Sequence, residues 1–299
     1  MSHAPTISIC MPAYRAEKYL PPALESVRRQ TFSNWELIVT EDGSRDATES
    51  LVRAFAASVP QNVVYNRHEQ NQGLPATRNT GIAAARGEWV AFLDADDLWE
   101  PEHLQRLLDA SVGTDWVFAG CQVFDDATGN DLDLRVPPSD SGPFPVALFT
   151  GRLIIQPSCT MVRRTSLAVA GGFSSEYPIC NDMEYWCRLA SRGIQARYSG
   201  AITCRYRKHP GAMSRKAAAL IAESARVCET YAAWDAIPPD VRRRHPAALY
   251  LYAGQILLRE NPLLAREYFR RCLALGGFSP KAGAYFLATL LPGGRSATV

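Results

Sequence analysis

The chain has 299 residues, 47% hydrophobic and 21% charged, with a net charge of only +2. This is a globular composition, and it gives no bulk electrostatic case for binding nucleic acid. No run of about 18 apolar residues marks a membrane-spanning helix. Met1–Thr6 lacks the basic and apolar regions of a secretion signal, so a cytoplasmic location is expected. The eight cysteines are scattered singly, without a Cys-x-x-Cys pair. They read as buried thiols rather than as a zinc or disulfide framework.

In chain order, Thr6–Met11 alternates and then stays apolar, which predicts a first strand broken by Pro12-Ala13-Tyr14-Arg15. Pro21-Pro22 suits the first turn of a helix to about Gln30. Trp35–Thr40 is a second strand that runs into Glu41-Asp42-Gly43-Ser44. A helix to about Ser58, a short strand at Val63–Tyr65 and a helix from Pro75 to Ala85 follow. The next stretch, Trp89–Leu93, is apolar throughout, too short for an ordinary helix and right for a buried strand. Strand and helix thus alternate through the first 100 residues, which predicts an α/β fold with a mainly parallel sheet and covering helices.

The strand at Trp89 ends abruptly in Asp94-Ala95-Asp96-Asp97. Carboxylates packed this closely repel one another at neutral pH. A hard divalent cation resolves the repulsion, since Mg²⁺ or Mn²⁺ commonly takes one or two carboxylates plus substrate phosphates. The plain alternative is that Asp97 caps the helix from Pro101 to Ala110. A calcium loop counted from Asp94 fails, because its glycine position holds Trp99 and its bidentate glutamate position holds Gln105. Two strands, however, run into aspartates at one sheet edge. That is the edge where open α/β sheets bind ligands, which favours a metal or nucleotide-phosphate site.

Trp116–Phe124 is a further apolar stretch, and Asp125–Pro145 reads as a long loop. Ser158–Val162 is a candidate strand. Asn181-Asp182 opens an amphipathic helix to Arg192, and Tyr206–Gly211 reads as a basic turn. From Ser214 strand signals vanish, and a helical tail is expected to about Leu291. Within it, Ala247–Leu275 resembles one helix pair of a tetratricopeptide unit. The predicted division is a residue 1–215 domain and a helical 216–299 extension.

These residues, in their order, resemble family 2 glycosyltransferases, inverting enzymes of the GT-A fold. The blocks are Ile9–Tyr14, Tyr19-Leu20, Ser26–Thr31, Glu41-Asp42-Gly43-Ser44-x-Asp46, Asn71-x-Gly73, Ala76-x-Arg78-Asn79-x-Gly81, Asp94–Asp97 and Asn181-Asp182. They span roughly residues 6–215. The resemblance implies that Pro12, Ala13, Tyr14 and Glu17 hold the nucleotide base and that Asp42 bonds the base or ribose. It places Arg78 at the diphosphate or the acidic cluster, and Asp94 and Ala95 at the ribose or sugar. Asp96 would ligate Mn²⁺ or Mg²⁺, with His209 a metal ligand or phosphate contact and Arg215 another phosphate contact. Asp182 is the candidate base. It matches the aspartate of the family's Glu-Asp pair, whose glutamate position here holds Asn181. As an ordinary helix cap, Asp182 would need no such role.

The implied partners are a nucleotide-sugar donor, with UDP-sugars foremost, and a saccharide or lipid-linked saccharide acceptor. The helical tail is expected to give oligomer contacts or peripheral contacts at the inner membrane face. A nucleotidyltransferase would want a glycine-rich phosphate loop after the first strand, where this chain has Pro12-Ala13-Tyr14-Arg15. A catalytically degenerate scaffold would not need Asp42, Asp94, Asp96 and Asp182 together. A processive synthase would carry transmembrane helices and a Gln-x-x-Arg-Trp block, and the sequence has neither.

Overall fold

The computed structural model describes residues 4–211, 216–276 and 279–290. Arg215, named above as a phosphate contact, lies outside them. The chain forms two compact units. The first runs to Phe144 and resumes at Arg152–Pro210. The second joins Pro145–Gly151 to the chain from Gly211 onward.

The first unit begins with β1 (Ile7–Ala13), α1 (Leu20–Arg28), β2 (Trp35–Glu41), α2 (Thr48–Ala56), β3 (Val63–Arg67), α3 (Leu74–Ala84) and β4 (Trp89–Phe92). Every residue of β1, β2 and β4 is buried, as expected for strands with helices on both faces. These strands pair in parallel in the spatial order β3-β2-β1-β4. The apolar faces of α1 and α2 meet them through Leu20, Ala23, Leu24, Val27, Val52 and Phe55.

The chain then crosses to the other half of the sheet. A two-residue strand, β5 (Leu98–Trp99), precedes α4 (His103–Ala110), and β6 (Trp116–Asp125) is paired by β7 (Asp131–Arg135). After α5 (Phe144–Phe149) come β8 (Thr160–Arg163), α6 (Arg164–Ala170), α7 (Asn181–Ser191) and β9 (Ala196–Lys208). The sheet continues as β4-β8-β6-β9-β5, with β8 antiparallel to both β4 and β6. Among the described residues this is one nine-stranded sheet.

Three features differ from expectation. The 125–145 stretch is not one loop, because it contains β7 and the start of α5. The supposed basic turn at Tyr206 is the end of the 13-residue β9. Pro12 does not break β1; it stays in register opposite Thr40. The reason lies in the pairing. Cys10 and Pro12 face the β4 side, where Cys10 O accepts from Leu93 N at 3.0 Å, and β4 pairs no further. A missing N–H at Pro12 therefore breaks no ladder bond.

The second unit holds α8 (Ala217–Thr230), α9 (Pro239–Leu257), α10 (Pro262–Gly276) and α11 (Pro280–Ala288). Pro239, Pro262 and Pro280 each open their helices, where no N–H partner is lost. A small-residue core of Ala222, Ala225, Ala247, Ala253 and Ala282 surrounds Tyr250 and Cys272. The Tyr250 hydroxyl donates to Glu229 at 2.7 Å and accepts from Arg271 at 3.0 Å.

One glycine fixes a close approach. Gly43 has φ +72°, and a Cβ there would lie 2.7–2.9 Å from the backbone of Gln70 and Asn71. We expect Gly43→Ala to cost about 1–2 kcal/mol from the left-handed backbone alone, and more from the clash. Urea unfolding of the variant would measure it, and unchanged stability would show that the 70–71 loop moves freely.

Candidate active site

Parallel register brings the carboxyl ends of β1, β2 and β4 to one edge, and the site is built there. Beyond β1, Tyr14 is 46% exposed, while Pro12 and Ala13 are buried behind it. A cleft of about 420 Å³ is lined by Tyr14, Arg15, Glu17, Gly43, Ser44, Arg45 and Asp46. Its walls are tied together. Glu17 accepts from Ala47 N at 3.1 Å, and Asp46 accepts from Glu17 N at 3.2 Å. Arg15 sits at φ +50°, a left-handed conformation that a non-glycine residue adopts only where its surroundings enforce it.

Asp42 is buried at the back of this region. Its carboxylate accepts from Gln72 N and Gly73 N, both at 2.8 Å, and meets His68 Nδ1 at 2.7 Å. His68 Nε2 is in turn 2.9 Å from the Thr80 hydroxyl. Asp42 thus anchors the loop that leads into α3. A carboxylate offers about four lone-pair positions, so capacity for one further donor remains.

The turn after β4 divides its three carboxylates. Asp97 is 1% exposed and wholly internal. It accepts from the Ser158 hydroxyl at 2.5 Å and from Arg207 N at 2.9 Å. It is not the cap of α4, whose N-cap is Glu102. Burial, with Asp96 and Asp94 adding like charge, pushes its carboxyl well above the usual range. Asp94 is partly exposed and Ala95 is buried beside it. Asp96 keeps a side chain 36% open, facing His209 Nε2 at 3.0 Å.

Arg78 of α3 is 2% exposed. Its Nη2 donates to both oxygens of Asp94, at 2.8 and 2.9 Å, and its Nη1 donates to Asn181 Oδ1 at 2.5 Å. Of the two places expected for Arg78, the geometry has it at the acidic cluster, where its guanidinium is already engaged. Asp182 follows in the first turn of α7, where its Oδ1 accepts from Met183 N at 2.8 Å. It is not the N-cap, which is Cys180. Burial raises its carboxyl above the ordinary range, and Arg78 partly opposes the rise. Asp94 is raised by burial in the same way, again against Arg78.

A second cluster closes the edge. Arg207 Nε donates to Asp96 O at 2.7 Å, and its Nη1 pairs with Asp126 at 2.9 Å. Lys18 and the Tyr19 hydroxyl reach the other Asp126 oxygen at 2.7 and 3.1 Å. The Lys18 ammonium foremost, with Arg207 and Tyr19, holds the Asp126 carboxyl at about 2. His209 packs against the Tyr19 ring at 4.7 Å.

Among the described residues no group of three or more His, Cys, Asp or Glu side chains is arranged to hold a metal. The pair Asp96 and His209 nonetheless suits a divalent cation whose remaining ligands are phosphate and water oxygens. Sequence reasoning missed His68, Ser158, Arg207 and Asp126. Only Arg207 carried a signal, two residues ahead of the singled-out His209.

The two neighbouring carboxylates should separate by experiment. Asp97→Ala leaves the buried Ser158 hydroxyl and Arg207 N–H without an acceptor, which we expect to cost roughly 3 kcal/mol. Asp96→Ala removes a half-open side chain and should barely change the unfolding midpoint. Equal losses in thermal unfolding would refute this division.

The family profile described as Glycosyl transferase family 2 matches residues 8–169, more than half of the chain. EpsH of Bacillus subtilis (strain 168) is 39% identical over 130 residues, 43% of this chain and 37% of EpsH. WfgD of Escherichia coli, named a UDP-Glc:alpha-D-GlcNAc-diphosphoundecaprenol beta-1,3-glucosyltransferase, is 38% identical over 99 residues, 33% of this chain and 38% of WfgD. The matched segments thus span less than two-fifths of either relative. The fold is similar to that of the Staphylococcus aureus TarS 1–349 fragment in complex with UDP-GlcNAc, with TM-score 0.67, 18% identity and coverage of 95% of this chain and 84% of the other. It is also similar to PcManGT of Pyrobaculum calidifontis, a mannosyltransferase in complex with GDP-Man and Mn²⁺, with TM-score 0.65, 19% identity and coverage of 96% and 80%. The architecture is the expected GT-A sheet with covering helices and a helical extension. By the match over residues 8–169, the chain belongs to glycosyl transferase family 2.

Proposed function

We propose that the chain is an inverting, non-processive glycosyltransferase. It moves one sugar from a nucleoside-diphosphate sugar, UDP-sugars foremost, to a saccharide or lipid-linked saccharide. The observation that carries this reading is the meeting of Asp94, Arg78 and the α7 start bearing Asp182 beside the half-open Asp96. Supporting it, a similar structure holds UDP-GlcNAc, another holds GDP-Man with Mn²⁺, and WfgD is named for a UDP-Glc donor and a lipid-diphosphate acceptor.

Pro12, Ala13, Tyr14 and Glu17 form or back the cleft for the base, and Asp42 has one acceptor position left for a base or ribose hydrogen. Asp94 and Ala95 stand where the ribose or sugar would lie. Asp96 and His209 would hold Mn²⁺ or Mg²⁺. The cation, when bound, stabilises the charge that develops on the departing diphosphate. Asp182 takes the proton of the attacking acceptor hydroxyl. The hydroxyl oxygen bonds to the anomeric carbon as the bond to the diphosphate oxygen breaks. Because attack and departure lie on opposite faces, configuration inverts. Among the described residues no helix is long and apolar enough to cross a membrane. We assign the helical extension, with exposed Leu263 and Leu287, to assembly or membrane-surface contact.

Nucleotide-sugar hydrolysis with and without Mn²⁺, over a panel of UDP- and GDP-sugars, tests the activity directly. A scaffold would hydrolyse none and show no thermal shift with nucleoside diphosphates. Asp96→Asn should abolish transfer and the metal-dependent part of UDP binding, read by calorimetry. Asp182→Asn should keep donor and metal binding while turnover falls by about 10²-fold or more. A base must be ionised to act. Because burial lifts the Asp182 carboxyl, its ionised fraction is lost at a higher pH than for an exposed aspartate. The acid limb of kcat should therefore lie above that of an exposed aspartate, and a limb at or below that position would count against Asp182.

A further inference from the structure

Asn181 is the first residue of α7, and its surroundings give the amide a task. It is 1% exposed. Arg78 Nη1 donates to its Oδ1 at 2.5 Å, and its own Nδ2 donates to Pro178 O at 3.2 Å. A guanidinium only donates and an amide both donates and accepts, so this orientation gives Arg78 Nη1 and Asn181 Nδ2 an acceptor each, while Arg78 Nε is buried without a partner among the described residues. The same Arg78 grips Asp94 through its other nitrogen and lies 5.4 Å over the Phe173 ring. The next residue, Asn79, exchanges two hydrogen bonds with the Phe173 backbone, at 2.7 and 2.9 Å. The chain just ahead of α7 and the first residue of α7 are therefore both fastened to α3, and through Arg78 to the end of β4.

We propose that Asn181 is a positioning residue for sugar transfer. Its amide oxygen, seated on Arg78, fixes the first turn of α7 beside the strand end, and its neutrality leaves the Arg78 charge to Asp94 and Asp182. This rests on Asp182 being the base.

Burial acts on Asp182 foremost; of the charged groups, Arg78 from α3 opposes it and Asp94 from the end of β4 adds to it. On α7 itself, Glu184 pairs with Arg188. From α6, which packs on α7, Arg164 turns to the Gly87 carbonyl at 2.8 Å. A carboxylate at position 181 would compete with Asp94 for Arg78 and stand one residue from Asp182. Either effect disfavours the ionised base.

Two variants of the full chain test this, assayed by hydrolysis of the panel's best nucleotide sugar with Mn²⁺. Asn181→Asp keeps the acceptor oxygen and the shape. Its kcat on the alkaline side should stay within about twofold of the parent, while the acid limb moves up by about one pH unit. Asn181→Ala removes the acceptor. Its kcat should fall about tenfold at every pH, with the donor KM and calorimetric UDP affinity within about twofold. Parent-like kcat in the Ala variant, or an unmoved acid limb in the Asp variant while Asp182→Asn is inactive, overturns the proposal. An active Asp182→Asn would instead overturn the base assignment. The proposal, which rests on that assignment, would fall with it. Should the Ala variant fail to fold, the Asp variant's profile decides.

Discussion

A guanidinium with 2% exposure cannot remain charged in a protein interior unless its surroundings replace water, and Arg78 is such a group. Its ion pair with Asp94 supplies the countercharge, Asn181 supplies a neutral acceptor, and the Phe173 ring supplies a polarisable face. Each partner comes from a different part of the fold. Pairing this one charge holds α3, the end of β4 and the start of α7 in a single arrangement. Breaking a buried pair from one side is costly, about 3–5 kcal/mol in typical cases, because the remaining charge is stranded. The geometry around Asp182 inherits its definition from that constraint.

The acidic turn after β4 shows how one short sequence separates structural from chemical carboxylates. Asp97 faces inward and gives one oxygen to Ser158 and the other to Arg207 N. Asp94 turns sideways to Arg78. Asp96 alone keeps a half-open side chain, with its backbone carbonyl pinned by Arg207. The turn is thus rigid where a ligand approaches, which lowers the cost of ordering it on binding. A parallel arrangement holds at β2, where Asp42 is spent largely on the Gln72 and Gly73 amides.

Much of this was legible in the sequence because the first half is locally coded. Each strand from β1 to β4 has an apolar stretch, each helix has a proline or a clear stop, and β1, β2 and β3 pair in chain order. The second half is not coded that way. β9 carries Arg197, Arg205, Arg207 and Lys208 among its apolar positions, so no clean alternation marks it. β7 is an exposed strand held by its pairing with β6 rather than by an apolar face. Within the site, residue types announced themselves but partnerships did not. Nothing local shows that Arg78 would spend its charge on Asp94, or that Ser158 would meet Asp97. Those contacts exist only after the two halves of the sheet have joined.

The position of β8 has a consequence for how the protein is made. β8 follows β6 in the chain yet lies between β4 and β6 in the sheet. While residues 160–163 are still in the ribosome, β4 therefore presents an unpaired edge made of Trp89, Val90, Ala91 and Phe92. Exposed apolar edges of this kind are templates for pairing with the wrong strand or with another nascent chain. The parallel half, β1 to β4, is synthesised first, and the segment that covers its β4 edge is a distant four-residue strand. Because that pairing spans a long loop, its closure is intrinsically slow. Synthesis of this protein thus has a window, opened by β4 and shut by β8, in which a chaperone or a slow codon run would matter most.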